Sequence, residues 1–522
     1  MQPYMRKLAA SVIYQLFLRP FTPEGTLKGA EKMLPHLRRL GVDLVYLTPV
    51  NEADDDMDPR FWSRRMIECG FNNPKNPYRV KDYYRIDPEY GTEQDLKDFI
   101  RAAHALGMGV LLDVVYIHCG PGNALRTERP EFFKPVDQSE WPFPRFDLEN
   151  PAVRDYFADN LLYFIREFDA DGFRADCGDL IPCDFWREVI GRVRRAKPDV
   201  IMLNEGSDPA HLAARFDIDY GTTYCDPLRW LARGDITAKW LTDHFREVDA
   251  RTPPDKLGWH GLENHDFVND AMEHRLERDI GAPLMECALA LNFTGRGVPY
   301  LYCGHEFGDT TRHSILGNRF CSPNLRVNWS FAQTEAGQAR MALIRALAAL
   351  RHELPVFSAG EVVYPAHARE DAVIVFCRAD KRERVCAAVN MTNEPQTVRL
   401  PLRFGEALLS RGAAAEADCV KMEPYGIFIA RCEAKRYVQI FAGKKLPFRA
   451  ARGGISGLSF LCAGNGGCAF AAGDFYPRSG QPRRQPAENG TCGRGRRNRG
   501  GQAAACVRRS AAMPCGSLVR SA

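Results

Sequence analysis

From Ser11 to about Pro355, apolar strand-like runs alternate with amphipathic helical stretches, and the alternation repeats eight times. Strands separated by helical crossovers lie parallel in one sheet, and eight such units are the number that closes a barrel. Strands are expected at residues 12–18, 42–50, 109–115, 172–177, 200–205, 218–224, 259–266 and 299–306. The helices expected to follow them are 27–40, 93–106, 153–168, 185–195, 209–216, 238–248, 283–293 and 335–351. In the third of these, Val153, Phe157, Leu161, Phe164, Ile165 and Phe168 recur at helical spacing and form one apolar stripe for a sheet. It starts after Asn150-Pro151, where a Pro in the first turn costs no hydrogen bond. The fold class is α/β: a (β/α)8 TIM barrel over residues 1–355, with a short loop insertion at 119–150.

Beyond residue 355 the period changes. Short β-like runs at 361–364, 372–377, 385–390, 396–400 and 426–430 predict a small antiparallel β-sandwich domain over 356–432. Residues 433–522 form a Gly-, Arg- and Ala-rich basic tail without periodicity, read as disordered or as the product of a displaced reading frame. The tail holds 16 Lys and Arg against 3 Asp and Glu, whereas the rest holds 54 against 63, so the basic pI says nothing about the body's ligand. Nucleic-acid binding is accordingly expected of the tail alone, if anywhere. No run of about 18 apolar residues occurs, so no membrane partner is expected, and residues 1–10 lack the apolar stretch of a signal peptide. The 17 cysteines show neither CxxC pairs nor His-linked metal spacing, and several behave as small core hydrophobes. A reduced, cytoplasmic setting follows, with no resident metal. Nothing in the sequence sets the oligomeric state.

Three segments at strand ends carry the chemistry: Gly172-Phe173-Arg174-Ala175-Asp176, Leu203-Asn204-Glu205-Gly206 and Glu263-Asn264-His265-Asp266. A parallel barrel gathers the C-terminal ends of its strands on one face, so acids distant in sequence meet in one pocket. Arg174 and Asp176 are two residues apart on one strand and point the same way, so a permanent cation sits beside that carboxylate. Glu205 ends the apolar run Val200-Ile201-Met202-Leu203, where desolvation raises the proton affinity of an acid.

These segments, in this order, resemble the signature regions of the α-amylase family, glycoside hydrolase family 13. Tyr78-Arg79-Val80-Lys81-Asp82-Tyr83 followed by Ile86-Asp87-Pro88-Glu89-Tyr90-Gly91, Asp113-Val114-Val115-Tyr116-Ile117-His118, and Gly297-Val298-Pro299 through Glu306 resemble further family segments. The resemblance spans residues 12–432. It implies a retaining α-glycosidase acting on α-linked glucosides or oligosaccharides, with Asp176 as nucleophile, Glu205 as acid/base and Asp266 as transition-state stabiliser. Tyr78, His118, Arg174 and His265 are the implied substrate-binding residues, a carbohydrate is the implied partner, and Glu306 is read as structural.

Two departures shape the expectation. The family's third-strand signature carries an Asn before its His, often tied to calcium; here that residue is Ile117, which offers a hard cation no side-chain oxygen, so neither calcium nor another cofactor is expected. Many starch-cleaving members follow the nucleophile with a Lys-His pair against the leaving-group sugar, and here those positions are Asp179 and Leu180. A transglycosylase or sugar isomerase using the same covalent intermediate is therefore the alternative, with a non-catalytic sugar-binding or scaffold barrel behind it.

Overall fold

In the computed structural model, eight parallel strands close into a barrel: β1 (Ile13–Leu16), β2 (Leu44–Leu47), β3 (Gly109–Val114), β4 (Gly172–Ala175), β5 (Ile201–Asn204), β6 (Ile218–Thr223), β7 (Leu257–Gly261) and β8 (Val298–Tyr302). The structure describes residues 3–135, 142–223, 225–266, 274–322 and 324–433. Each strand pairs with its sequence neighbour, and β8 returns to β1 through Ile13↔Tyr300, so no barrel edge is exposed. Strands β1, β2, β4 and β8 are buried along their whole length, packed inside by their own side chains and outside by helices.

Three of the helices begin at residues that cap them. Thr92 and Asp95 form a reciprocal capping box at the start of Glu93–Ala105, Asn150 caps Pro151–Phe168 by accepting from the Ala152 amide, and Thr334 caps Glu335–Glu353. Where the structure departs from expectation, the cause is local. The helix expected at 27–40 is two short helices, Leu27–Glu31 and Leu34–Arg39, because Pro35 suits only a first turn and forces a restart. Strand β7 ends at Gly261, so Glu263 to Asp266 lie on the loop beyond it. There the Glu263 carboxylate accepts from the Leu276 amide at 2.5 Å and from Arg275 Nε at 3.0 Å instead of following a ladder. Strand β8 stops at Tyr302, and Gly304, at φ 94°, turns the chain into the short 3-10 helix His305–Phe307. A helix not expected from the sequence, Cys225–Arg233, precedes Ala238–Arg251.

The second region is an antiparallel sheet of β9 (Glu361–Val363), β10 (Val373–Ala379), β11 (Arg384–Asn390), β12 (Gln396–Arg399), β13 (Arg403–Glu416) and β14 (Cys419–Glu433). The order is β9-β10-β11-β14-β12, with β13 also pairing β14. Alternation sorts its side chains by face. Ile374, Phe376, Ala387, Val389, Ile427 and Ile429 join the barrel's core, while Val373, Val375, Cys377, Cys386, Ala388 and Phe428 build a separate one. The long β13 was not expected, since its Ala-rich, charged sequence has little strand propensity; pairing along β14 imposes it. The tail beyond residue 433, and with it the expectation of disorder or a displaced frame, lies outside the described residues, as do 136–141 of the loop insertion. Among the described residues no helix is long and apolar enough to cross a membrane.

Candidate active site

One guanidinium organises the strand ends. Arg174, fully buried on β4, donates through Nη1 to Asp176 Oδ1 at 2.8 Å and to the two oxygens of Asp113 at 2.8 and 3.0 Å. Its Nη2 lies 2.9 Å from Glu205 Oε2, and its Nε donates to the Tyr220 hydroxyl at 3.1 Å. Burial by itself would make Arg174 easier to deprotonate, but Asp113 and Glu205 outweigh it and hold the group well above its ordinary value. It is a permanent cation shared by three carboxylates.

The backbone completes the arrangement. The amide of Asp176 donates to Val114 O at 2.9 Å and that of Glu205 to Ala175 O at 3.0 Å, which extends the parallel ladder one residue past β4 and β5. Cys177 then enters the left-handed region at φ 46°, and its amide donates to Glu205 Oε2 at 2.6 Å. Glu205 is therefore desolvated, as expected, yet one of its oxygens faces two donors that stabilise negative charge. An oxygen of Asp176, an oxygen of Glu205 and the Cys177 sulfur all lie within 4.8 Å of one another.

Asp266 approaches from the loop after β7. Its oxygens lie 3.4 Å from Arg65 Nη1 and 3.3 Å from His265 Nε2. Burial pushes this carboxyl up, but His265 and Arg65 prevail and keep it below the usual carboxylate range. His265 is itself buried, which lowers it to about 4, so it is neutral. The surrounding bonds fix its tautomer. Gln15 Nε2 lies 2.7 Å from Nδ1, while Nε2 lies 2.6 Å from the Tyr78 oxygen, whose hydroxyl donates to Asp113 Oδ2 at 2.9 Å. Since the Tyr78 proton goes to Asp113, the proton on His265 sits on Nε2 and Nδ1 accepts from Gln15. Tyr300 donates to the Gln15 carbonyl oxygen and closes the far end.

Tyr78 stacks on His265 with rings 6° from parallel and centroids 5.3 Å apart. His118, lowered by burial to about 3, lies 2.8 Å through Nε2 from the Tyr78 carbonyl oxygen and fixes the backbone of that tyrosine. Of the seven residues singled out by sequence, Asp176, Glu205, Asp266, Tyr78, Arg174 and His265 thus share one bonded network, and His118 reaches it through main chain. Glu306 is fully buried, accepts from Tyr14 and from the Gly304 amide at 2.9 Å each, and stands apart from this network as a structural group.

Sequence reasoning did not give roles to Asp113, Gln15, Tyr46 or Arg65. Asp113 was visible in its motif, and its inward position on β3 was the available signal; Tyr46 donates to it at 2.6 Å. Arg65 comes from the long loop after β2 and carried no local signal. Asp179 also has a definite place. It accepts from Asn204 Nδ2 and the Ser207 amide at 2.8 Å each and from the Asp208 amide at 3.1 Å, fastening the turn that follows Glu205. An added Cβ at Gly206 would fall 1.9 Å from Asp179 Oδ1, so a larger residue there would have to displace that carboxylate. Leu180, beside it, is exposed. At the position tied to calcium, the buried Ile117 offers hydrocarbon alone, and its carbonyl accepts the Phe146 amide at 3.2 Å, so this residue does not fit a calcium ligand.

Comparison with known proteins agrees with this geometry. The family model for the α-amylase catalytic domain matches residues 8–141, and that for a β-galactosidase C-terminal domain matches residues 372–431. A cyclomaltodextrinase from Geobacillus thermopakistaniensis is 28% identical over 453 residues, covering 78% of this chain and 71% of that one. A malto-oligosyltrehalose trehalohydrolase from Deinococcus radiodurans is 35% identical over 348 residues, 58% of this chain and 54% of its own. The fold is shared with a maltogenic α-amylase from Thermotoga neapolitana, at TM-score 0.68 and 24% identity over 82% of this chain and all of that one. The closed barrel and its antiparallel companion sheet are the fold of α-amylase structures, and the first part of the chain, residues 8–141, matches the α-amylase catalytic domain.

Proposed function

We propose that this chain is a retaining α-glycosidase for α-linked glucosides or short oligosaccharides, working through a covalent glycosyl intermediate on Asp176. The observation that carries the reading is the approach of Asp176 and Glu205, whose oxygens lie within 4.8 Å. Retaining enzymes hold their two carboxyl groups about 5–5.5 Å apart, whereas inverting ones leave about 6.5–9.5 Å for a water molecule.

Asp176, held ionised by Arg174, attacks the anomeric carbon as the glycosidic bond breaks, and the departing oxygen takes its proton from Glu205. The acid role requires a proton on Glu205, and the burial of that side chain is what favours one there. In the second step Glu205 removes a proton from water, the hydroxide adds to the anomeric carbon, and Asp176 leaves as carboxylate with the configuration retained. Asp266 holds sugar hydroxyls as positive charge develops on the ring, Tyr78 packs against the pyranose, and neutral His265 and His118 orient them. No calcium or other cofactor is assigned a part, and the reaction belongs to the cytoplasm. The names of the relatives, cyclomaltodextrinase and malto-oligosyltrehalose trehalohydrolase, support α-linked glucose units as substrate.

A second reading, transfer to a sugar hydroxyl or isomerisation, is favoured by the acceptor side. There Asp179 is engaged by the turn after Glu205 and Leu180 is exposed, in place of a polar pair that would grip a polymer. Incubating wild type and Asp176→Ala with a panel of α-glucosides, maltooligosaccharides, cyclodextrins and sucrose tests both. Hydrolysis lost in the variant supports the first reading, transfer products the second, and equal product formation by the two proteins overturns both.

A further inference from the structure

The second sheet gathers cysteines that lie apart in the sequence. Cys377 on β10 and Cys386 on β11 are direct partners in the antiparallel ladder, and both point into the sheet's separate core. Main-chain bonds fix which kind of partners they are. The Met391 amide donates to Ala372 O at 2.9 Å and the Asp380 amide to Glu383 O at 3.0 Å, and both couples continue the register that sets 377 against 386. Hydrogen-bonded pairs alternate with non-hydrogen-bonded ones along such a ladder, so counting from either end makes Cys377 and Cys386 a non-hydrogen-bonded pair. That is the kind whose side chains approach most closely, with Cα atoms about 4.5 Å apart. A disulfide spans Cα atoms about 4.4–6.8 Å apart, so this pair closes without moving a strand. Cys432, near the end of β14, packs against the same core two residues beyond Ala430, the ladder partner of Cys386. We propose that Cys377 and Cys386 form a reversible cross-strand disulfide, and that Cys432 is the thiol through which a peroxide oxidises them.

Exposure divides the labour. Cys377 is 3% exposed and Cys386 not at all, so an oxidant in solution does not reach them, whereas Cys432 is only partly buried. Hydrogen bonds from Cys377 and Cys386 hold the Cys432 thiol below its ordinary value, while the other two are raised. The thiolate is the nucleophilic form, and an accessible one is the first to be oxidised. The Cys432 sulfur attacks one peroxide oxygen, the O–O bond breaks, and the departing hydroxide takes a proton to become water, which leaves a sulfenic acid. Cys386 gives up its proton and attacks that sulfur, the S–O bond breaks, and the oxygen leaves as a second water. The Cys386–Cys432 bond so formed joins diagonal neighbours, whose Cα atoms stand about 7–8 Å apart, and is strained. Cys377 then attacks Cys386, the strained bond breaks, and Cys432 leaves as thiolate. Two thiols and one peroxide thus become one disulfide and two waters. External thiols reverse the sequence by the same entry.

The test needs no assumption about the glycosidase reaction. The folded full-length protein, fully reduced, is treated with one equivalent of hydrogen peroxide, its remaining thiols are alkylated, and its tryptic peptides are mapped by mass spectrometry. Trypsin separates the three cysteines onto the peptides 370–378, 385–399 and 432–435, so each linkage has its own mass. The expected product joins 370–378 to 385–399, is the dominant linkage among the chain's 17 cysteines, and disappears on treatment with dithiothreitol. Cys432→Ser should give the same linkage at least tenfold more slowly, and Cys386→Ser should abolish it. The wild-type map decides the pairing whether or not either variant folds. Cys377 and Cys386 alkylated as fully as in untreated protein, or a dominant linkage between other cysteines, would overturn the disulfide. Closure in Cys432→Ser at the wild-type rate would overturn the entry role.

Discussion

His118 offers a quantitative test of how burial governs this site. Its imidazole is lowered by burial to about 3, although the hydrogen bond to the Tyr78 carbonyl favours the charged form, whereas an unfolded chain holds a histidine near 6.5. The folded state therefore refuses a proton that the unfolded state accepts once pH falls below about 6.5. Stability from this group is fully present above the unfolded value and is lost as pH falls toward the folded one. Linkage between those two values puts the loss from pH 7 to pH 5 at about 2 kcal/mol. His265, lowered to about 4, loses nearly as much over the same interval, so the pair accounts for about 4 kcal/mol. His313, His244 and His367 are also lowered by burial and add in the same direction, while Asp113 and Asp249, raised by burial, oppose it. Comparison of wild type with His118→Gln isolates one contribution, since the Gln amide can still donate to Tyr78 O but does not titrate. Urea unfolding at pH 7 and pH 5 should show the wild type losing about 2 kcal/mol more than the variant between the two conditions. Equal losses would refute the assignment of a depressed, buried histidine at this position.

Three further outcomes follow from the same network. Asp179→Ala removes the acceptor that holds the Ser207 and Asp208 amides, so kcat should fall about 10- to 100-fold through misplacement of Glu205 while KM moves less; a fall in melting temperature with kcat intact would show the residue to be merely structural. Arg174→Met leaves Asp113, Asp176 and Glu205 buried without their shared cation and should cost about 3–5 kcal/mol in denaturant unfolding at pH 7, and stability within 1 kcal/mol of wild type would contradict the shared-cation account. Tyr78→Phe strips a partner from both His265 Nε2 and Asp113 Oδ2, and an unfolding loss of about 1–3 kcal/mol is expected, with no loss refuting the bond sequence that fixes the His265 tautomer.

The barrel was legible because each of its strands and helices has its own period and its own punctuation. Asn150-Pro151 marks a helix start that the structure reproduces within two residues, and the helices expected from 93 and 335 begin at those residues. Strand-end acids were legible for a topological reason: a parallel barrel sends all its C-termini to one face, so order along the chain predicts proximity in space. What escaped notice depends on partners distant in sequence. Nothing around Arg65 announces that a long loop folds over to reach Asp266, and nothing around Asp179 announces that its acceptors meet the turn after β5. The β13 strand escaped for the complementary reason: its residues form a strand only because β14 lies alongside, so local propensity misleads. The end of β7 was misplaced by five residues because Glu263 bonds to Arg275 and His305, side-chain contacts that stand where the ladder was expected to continue to residue 266.

The central claim is that Asp176 becomes covalently bonded to the sugar. Its most direct test treats the full-length protein with a fluorinated α-glucosyl substrate bearing an activated leaving group, which slows breakdown of the intermediate more than its formation, followed by peptide mass spectrometry. The account predicts one glycosyl adduct per chain, on the peptide containing Asp176, absent in Asp176→Ala. Turnover of that compound without an adduct, or an adduct on Glu205 or Asp266, would contradict it.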